Sequence, residues 1–473
     1  MDTYEYLFPY EKVKCGSDVI IYGAGVMGQD YLKQMQITSF CNVIGFIDKN
    51  YKNYSGMCVP VYPSSILKKL HYDYVVIALQ KADALNEVIN VLHQEDVTDN
   101  KIVYTLLRNT SGLNVFLSNV ETIEKEPAYE GTAYSLALSV TGGIGDMVIH
   151  KRFVSELINC VPEIKIDIYA VDTCDFLNFL YSDCKNINII QPNLGVRYEQ
   201  SYHRYALSIF IEGTGFVRVD EFKKNIFEES HGGFCEKILK LIEYIKRENA
   251  SMSTPMYVLN GRRIYEQKNC YTWFSFDGIF SIEDDKIEIP VKEDILRDDY
   301  KSILKNIRYI TVNYGNGKAS DGKMISKAWP IEYFEELVEI IHENNKELMV
   351  IQLGTANSKK ISGVNRYILG EDFNTVSCLL KYSRLHIDID GGLVHLASQL
   401  DTRCAVLFGP TRVEMYGYKK NLNIVSENCK GCFGLFNNGF KCAKGLSKPE
   451  CMYSLKPEMV AKTVIDFLGE EKV

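Results

Sequence analysis

Leu385–Pro410 reads LHIDIDGGLVHLASQLDTRCAVLFGP. Leu385–Ile389 is a short β-rich run, and Asp390-Gly391-Gly392 is a turn. Leu393–Leu400 is a short amphipathic helix, and Arg403–Phe408 is a second apolar strand. A strand that ends in Asp-Gly-Gly and opens a helix outlines a phosphate site. The glycines let backbone come close to a ligand, and the free N–H groups of the helix start favour an anion.

Outward from this stretch the pattern stays α/β. Upstream lie a strand at Arg308–Asn313, a long loop, a helix from Pro330 and a strand at Glu347–Leu353. An earlier unit opens with a strand at Tyr134–Val140. A Gly-rich turn follows at Thr141–Asp146, then a helix at Met147–Cys160 stopped by Pro162, and a strand at Ile166–Ala170. Residues 195–297 are Tyr-rich and poorly periodic, and no elements are traced there. The acidic, Pro-bearing stretch Ile282–Asp299 is the expected hinge.

The front of the chain, residues 1–112, reads as a third, smaller α/β unit. A strand at Val19–Tyr22 runs straight into Gly23-Ala24-Gly25-Val26-Met27-Gly28, and a helix extends to about Met35. Further strands are expected at Asn42–Ile47, ending at Asp48, and at Tyr74–Leu79. This is a Gly-x-Gly-x-x-Gly in its proper context, with an acidic residue about 20 positions on. Gly23, Gly25, Gly28 and Asp48 are the candidate nucleotide-binding residues, and a scaffold or docking role is the other reading. The expected division is 1–112 Rossmann-like, 113–130 linker, 131–297 a second α/β domain and 298–473 a third.

Three motifs in order carry a family resemblance over about residues 131–468. Asp390–Ala397 followed by Phe408–Thr411 resembles the donor-site signature of glycosyltransferase family 9, which includes the heptosyltransferases of lipopolysaccharide core and of bacterial autotransporters. Thr141–Val148 is similar to that family's N-terminal motif, in which Gly-Asp closes the loop and the Asp is the catalytic base. Lys327-Ala328-Trp329-Pro330 resembles its Lys-x-Trp-Pro, whose Lys meets the donor diphosphate. The resemblance implies the GT-B architecture: two Rossmann-like domains, 131–297 for the acceptor and 298–473 for the nucleotide-sugar donor, facing across a cleft with ligands at the carboxyl ends of the strands. The front unit resembles Rossmann-like domains found beside sugar-modifying enzymes in bacterial glycan pathways.

The implied activity is inverting, metal-independent transfer of a heptose or other sugar from a nucleotide-diphospho donor to a bacterial glycan or protein. Asp146 is the expected general base; its bland alternative is a helix cap. Lys327 is expected to neutralise charge on the leaving diphosphate. Asp390 is expected to bind the sugar or orient the loop. Gly391, Gly392 and Leu393 would offer N–H groups with the helix dipole behind them. His395 is either a donor contact or a packed histidine, and Gly354 is expected to clear space for the nucleotide. Lys318, Ser320 and Lys323 share the Lys327 loop. Gly391 stands where many relatives carry Ser or Thr, which removes one hydroxyl contact. Asp388-Ile389-Asp390 has the spelling of the metal-dependent Asp-x-Asp, read here as chance.

Four of the chain's 14 cysteines, Cys429, Cys432, Cys442 and Cys451, fall close together, and no His follows His395. Their Cys-x2-Cys knuckle and all-thiolate set suit structural zinc or iron. The family resemblance makes iron a live option, because the finger of autotransporter heptosyltransferases binds iron. The net charge of −8 argues against a broad nucleic-acid surface. No apolar run is long enough to span a bilayer, and a cytoplasmic location is expected. A homo-oligomer is compatible with the sequence. Two rival readings remain: a non-catalytic nucleotide-sugar-binding or assembly protein, and a nucleotide-sugar-modifying oxidoreductase built on the front unit.

Overall fold

The structure, a computed structural model, describes residues 6, 8–79, 82–104, 127–170, 173–190, 197–198, 201–214, 216–248, 261, 263–264, 266–282, 286–315, 326–429, 431–433 and 441–470. Three parallel-rich sheets account for its α/β character. The front sheet has strands β1 (Asp18–Tyr22), β2 (Asn42–Ile47), β3 (Val61–Tyr62), β4 (Tyr74–Ile77) and β5 (Ile102–Tyr104), in the order β3-β2-β1-β4-β5 and parallel throughout. Its two faces have cores of their own, one around Phe8, Tyr31 and Phe46, the other around Leu67, Leu85 and Leu92.

The middle sheet contains β6 (Ser135–Thr141), β7 (Lys165–Ala170), β8 (Ile187–Ile190), β9 (Leu207–Glu212) and β10 (Phe216–Phe222), in the order β10-β9-β6-β7-β8. Only β10 runs antiparallel, as a hairpin with β9. The third sheet is parallel throughout. Its strands are β11 (Tyr309–Asn313), β12 (Met349–Gly354), β13 (Arg366–Leu369), β14 (His386–Ile389), β15 (Cys404–Phe408) and β16 (Leu422–Val425), in the order β13-β12-β11-β14-β15-β16. Strands buried on both faces read as continuous apolar runs, as β15 does with all five residues buried. One core runs unbroken from the middle sheet into the third, joining Leu138 and Phe153 to Leu353, Val394 and Tyr418.

Several expectations shift. The helix after β6 spans Ile144–Cys160, three residues earlier than expected, so Asp146 stands in its first turn. The front helix continues to Thr38, where Ser39 adopts a left-handed conformation and caps it. The untraced stretch holds β9, β10 and a helix at Gly232–Glu248 whose buried stripe is Phe234, Ile238, Leu241 and Tyr244. The described residues of the expected hinge Ile282–Asp299 are laid along the third unit. There Ile287 N–H donates to Gln399 Oε1 (2.9 Å), and Lys292 N–H donates to Asn374 Oδ1 (2.7 Å), with the return bond at 2.8 Å. Most of the expected 113–130 linker lies outside the described residues.

Candidate functional site

In an open α/β sheet, ligands collect where strand order reverses, at the carboxyl ends of the strands. In the third sheet that point lies between β11 and β14, and a cleft of about 440 Å³ opens there. Asn313 and Gly315 line it from the β11 side, and Asp388 through Leu393 from the β14 side. Lys327, Gly354, Thr355, Ser358 and Phe373 close it, and Ile144 reaches in from the middle unit. In the middle sheet the reversal lies between β6 and β9, and Asp146 stands there, opposite Gly213.

Asp146 does two things at once. Its Oδ2 accepts from Gly143 N–H (2.8 Å), so it caps the helix it begins. That approach needs glycine at 142: φ is +123°, and a Cβ there would lie 2.6 Å from Asp146 Oδ2. The carboxyl keeps a partial opening to solvent, yet the surrounding protein desolvates it. Burial pushes its pKa up to about 6; Asp390 adds to the rise, while the Gly143 amide and the Lys327 charge oppose it.

Lys327 donates to the Asp390 backbone carbonyl (3.1 Å) and lies 3.6 Å from Asp390 Oδ2. Its neighbour Trp329 is fully buried and donates to Leu455 O (2.9 Å), which anchors the loop that carries the lysine. Asp388 is buried beneath the cleft floor. Its oxygens accept from Asn313 Nδ2 (2.9 Å) and Ile389 N–H (2.7 Å), so the two carboxylates of Asp-Ile-Asp serve different partners.

The helix Gly392–Gln399 starts at the cleft with Gly391 as its N-cap. Its first residue also meets the middle unit: a Cβ on Gly392 would lie 2.9 Å from Ile144 Cβ and 3.3 Å from Gly145 N. His395 sits one turn on, against Gly145, whose added Cβ would come within 2.5 Å of the ring. The imidazole Nδ1 pairs with Tyr418 O–H at 3.2 Å, and burial pushes its pKa down to about 4, so the ring is neutral near pH 7. His395 therefore joins the two units and does not line the cleft. Gly354 does line it, but a Cβ there would meet Ser358 Oγ at 2.5 Å. Lys318, Ser320 and Lys323 lie outside the described residues.

The glycosyltransferase family 9 (heptosyltransferase) model matches residues 317–438. This stretch is similar to a family 9 domain, and the likeness supports glycosyltransferase activity. Solved structures similar to it include ADP-heptose lipopolysaccharide heptosyltransferase II of E. coli, at 14% identity over 71% of this chain and 100% of that one, with a TM-score of 0.39. The iron-containing dodecameric glycosyltransferase TibC of enterotoxigenic E. coli is 12% identical over 71% of this chain and 76% of that one, TM-score 0.46. A family 9 glycosyl transferase from Veillonella parvula is 12% identical over 73% and 99%, TM-score 0.41. No curated protein matches the sequence.

Around the cleft, sequence reasoning missed Asn313, Thr355, Ser358 and Phe373. The first two had a signal, since they end β11 and directly follow β12. The four cysteines lie in one neighbourhood: burial pushes the Cys451 thiol up to about 12, and Cys429, Cys432 and Cys442 each add to the rise. Among the described residues, however, no three His, Cys, Asp or Glu side chains are gathered closely enough to hold a metal ion. The expected metal finger is therefore not shown by the described residues. In the front unit Gly23 has φ +109°, and a Cβ on Gly28 would lie 1.9 Å from Gly23 O, so both glycines serve the turn and its packing. Gly25 faces open space, and Asp48 Oδ2 accepts from Ala24 N–H (3.0 Å). No helix among the described residues is long and apolar enough to cross a membrane.

Proposed function

We propose that the chain transfers a sugar, with inversion and without a catalytic metal, from a nucleotide-diphospho donor to a hydroxyl of a glycan or protein. One observation carries this reading: the helix that bears Asp146 sends Ile144 into the cleft of the other unit, which places the Asp146 carboxyl close enough to Lys327 and Asp390 for both to act on its pKa. The donor's diphosphate sits against the N–H groups of the Gly392–Gln399 helix start, beside the Lys327 ammonium. Asp146 accepts the acceptor's proton as its oxygen bonds to the anomeric carbon, and the bond from that carbon to the diphosphate oxygen breaks on the opposite face. A carboxyl with a pKa of about 6 is largely ionised at neutral pH, yet more basic than an ordinary aspartate. Lys327 and the helix terminus supply the positive charge that offsets the leaving group.

Cys429, Cys432, Cys442 and Cys451 would hold a structural zinc or iron, supported by the soft all-thiol set and the mutual influence of the four sulfurs. The front unit would hold a nucleotide at Gly23–Gly28, supported by the open space over Gly25. The test of the main reading is Asp146→Asn, followed by transfer or donor hydrolysis and by calorimetry with nucleoside diphosphates. Transfer is expected to fall by about 10²–10⁴ with affinity little changed. Near wild-type turnover would end the general-base assignment.

A further inference from the structure

The cysteine-rich segment reaches Lys327, at the edge of the donor cleft, through Phe433. Phe433 follows Cys432 directly, and the Lys327 ammonium lies 5.7 Å from the centre of its ring. Two contacts fix where that ring stands. Phe433 N–H donates to Pro410 O (2.8 Å), tying it to the end of the Phe-Gly-Pro-Thr motif. Arg412 Nε donates to Gly431 O (3.2 Å), and the Arg412 side chain packs so closely that a Cβ on Gly431 would lie 2.2 Å from its Cγ. Only glycine leaves room for that packing. The Lys327 ammonium is thus held from three directions: the Asp390 carbonyl, the Asp390 carboxylate and the aromatic face.

We propose that Phe433 is a positioning residue for donor recognition, acting through Lys327. This deepens the donor-site reading and rests on it. A lysine has a flexible four-carbon stem and a strongly hydrated point charge, and left alone it samples many rotamers in solvent. An aromatic face attracts the ammonium without competing for its hydrogen bonds, because the ring quadrupole offers no directed lone pair. The lysine therefore stays at the mouth of the cleft with N–H donors left over for a diphosphate. A carboxylate in place of the ring would neutralise the charge that the diphosphate needs; an aliphatic chain would fill space without holding the cation.

The experiment is calorimetry on the full-length chain with ADP, UDP and GDP and with the matching monophosphates. It compares wild type, Lys327→Met, Phe433→Leu, Phe433→Tyr and the Lys327→Met/Phe433→Leu double variant. Phe433→Leu should weaken the tightest-binding diphosphate by roughly 3- to 30-fold, and its monophosphate by less, because the lysine is expected to face the distal phosphate. Phe433→Tyr should restore affinity to within about twofold, since it keeps the aromatic face. In the Lys327→Met background Phe433→Leu should add almost nothing. Thermal melts check folding; if the leucine variant is destabilised, Phe433→Met serves for the same comparison. Equal losses for mono- and diphosphates, additive losses in the double variant, or wild-type affinity in Phe433→Leu beside a weakened Lys327→Met would each overturn the role of Phe433 alone. Unchanged diphosphate affinity in Lys327→Met would instead remove the donor-site reading beneath it.

Discussion

If Asp146 is the base, the rate should carry its titration. An aspartate at its ordinary value of 3.8 is ionised throughout the range in which most enzymes are assayed; one at about 6 is not. With a pKa of about 6, roughly nine-tenths of the carboxyl is ionised at about pH 7 and one-tenth at about pH 5, so kcat/KM should fall about tenfold between them. With an unshifted carboxyl the same interval would change the rate by less than about a tenth. The electrostatic neighbours predict how the limb moves. Lys327 lowers the pKa, so Lys327→Met should shift the limb towards neutral pH; Asp390 raises it, so Asp390→Asn should shift the limb towards acid. The assay is donor consumption across about pH 4.5 to 8.5 at constant ionic strength, with the Asp146→Asn variant for comparison. A wild-type profile flat to about pH 5, or a limb that survives in Asp146→Asn, would refute the reasoning.

The same shift has a stability sign. A carboxyl whose folded pKa lies above its unfolded one favours folding when protonated. Its contribution is full below about 3.8 and is lost as pH rises through about 6. At neutral pH the charge is therefore a cost, and a rise from 3.8 to about 6 corresponds to something on the order of 3 kcal/mol. Asn at 146 keeps an oxygen for the Gly143 N–H and carries no charge. Asp146→Asn should thus melt higher than wild type at neutral pH and lose that advantage towards pH 4, while losing activity.

Gly392→Ala puts a methyl 2.9 Å from Ile144 Cβ, so it should cost about 1–3 kcal/mol by overpacking and weaken diphosphate binding, as melts and calorimetry would register. Gly391→Ser meets nothing closer than 3.7 Å and should leave the melt unchanged; a loss equal to that of Gly392→Ala would contradict the packing difference. Protein purified reduced should hold about one zinc or iron per chain by elemental analysis; finding neither, with the four thiols titrating in the native state, would remove the site. Gly25→Trp fills open space above the front motif and should spare transfer, whereas a folded variant without transfer would make the front unit part of the catalytic cycle.

Much of the fold could be read from short-range pattern. The motif stretch at 385–410 has its strands and helix within a residue of expectation, because apolar runs bounded by Asp-Gly-Gly and Arg-Cys have few other readings. Strand β9 hides its alternation because both faces are apolar: Leu207, Ile209 and Ile211 enter the main core, while Phe210 packs on a cluster of tyrosines on the other side. The helix at Gly232–Glu248 did carry a legible stripe and was obscured by its irregular surroundings. The strap at Ile282–Asp299 looked like a hinge because acidic, Pro-bearing composition says nothing about which side chains, here Asn374 and Gln399, will bind its backbone.

The site divides differently. Residue types at the ends of strands could be named in advance, because a parallel sheet always presents those positions to a ligand. What each glycine is for could not. Gly391 and Gly392 are neighbours in one motif, and a phosphate argument treats them alike. In the folded chain the Cβ space of Gly391 meets no atom nearer than 3.7 Å, whereas that of Gly392 is taken by Ile144, 248 positions earlier. His395 and Gly145 meet in the same way. These contacts press the helix that would bind phosphate against the helix that carries Asp146. A glycine that lets a phosphate approach and one that lets two units approach have the same spelling, and only the long-range fold separates them. It follows that substitutions at 392 and 145 should disturb donor binding and the base together, whereas those at 391 should act on the donor alone.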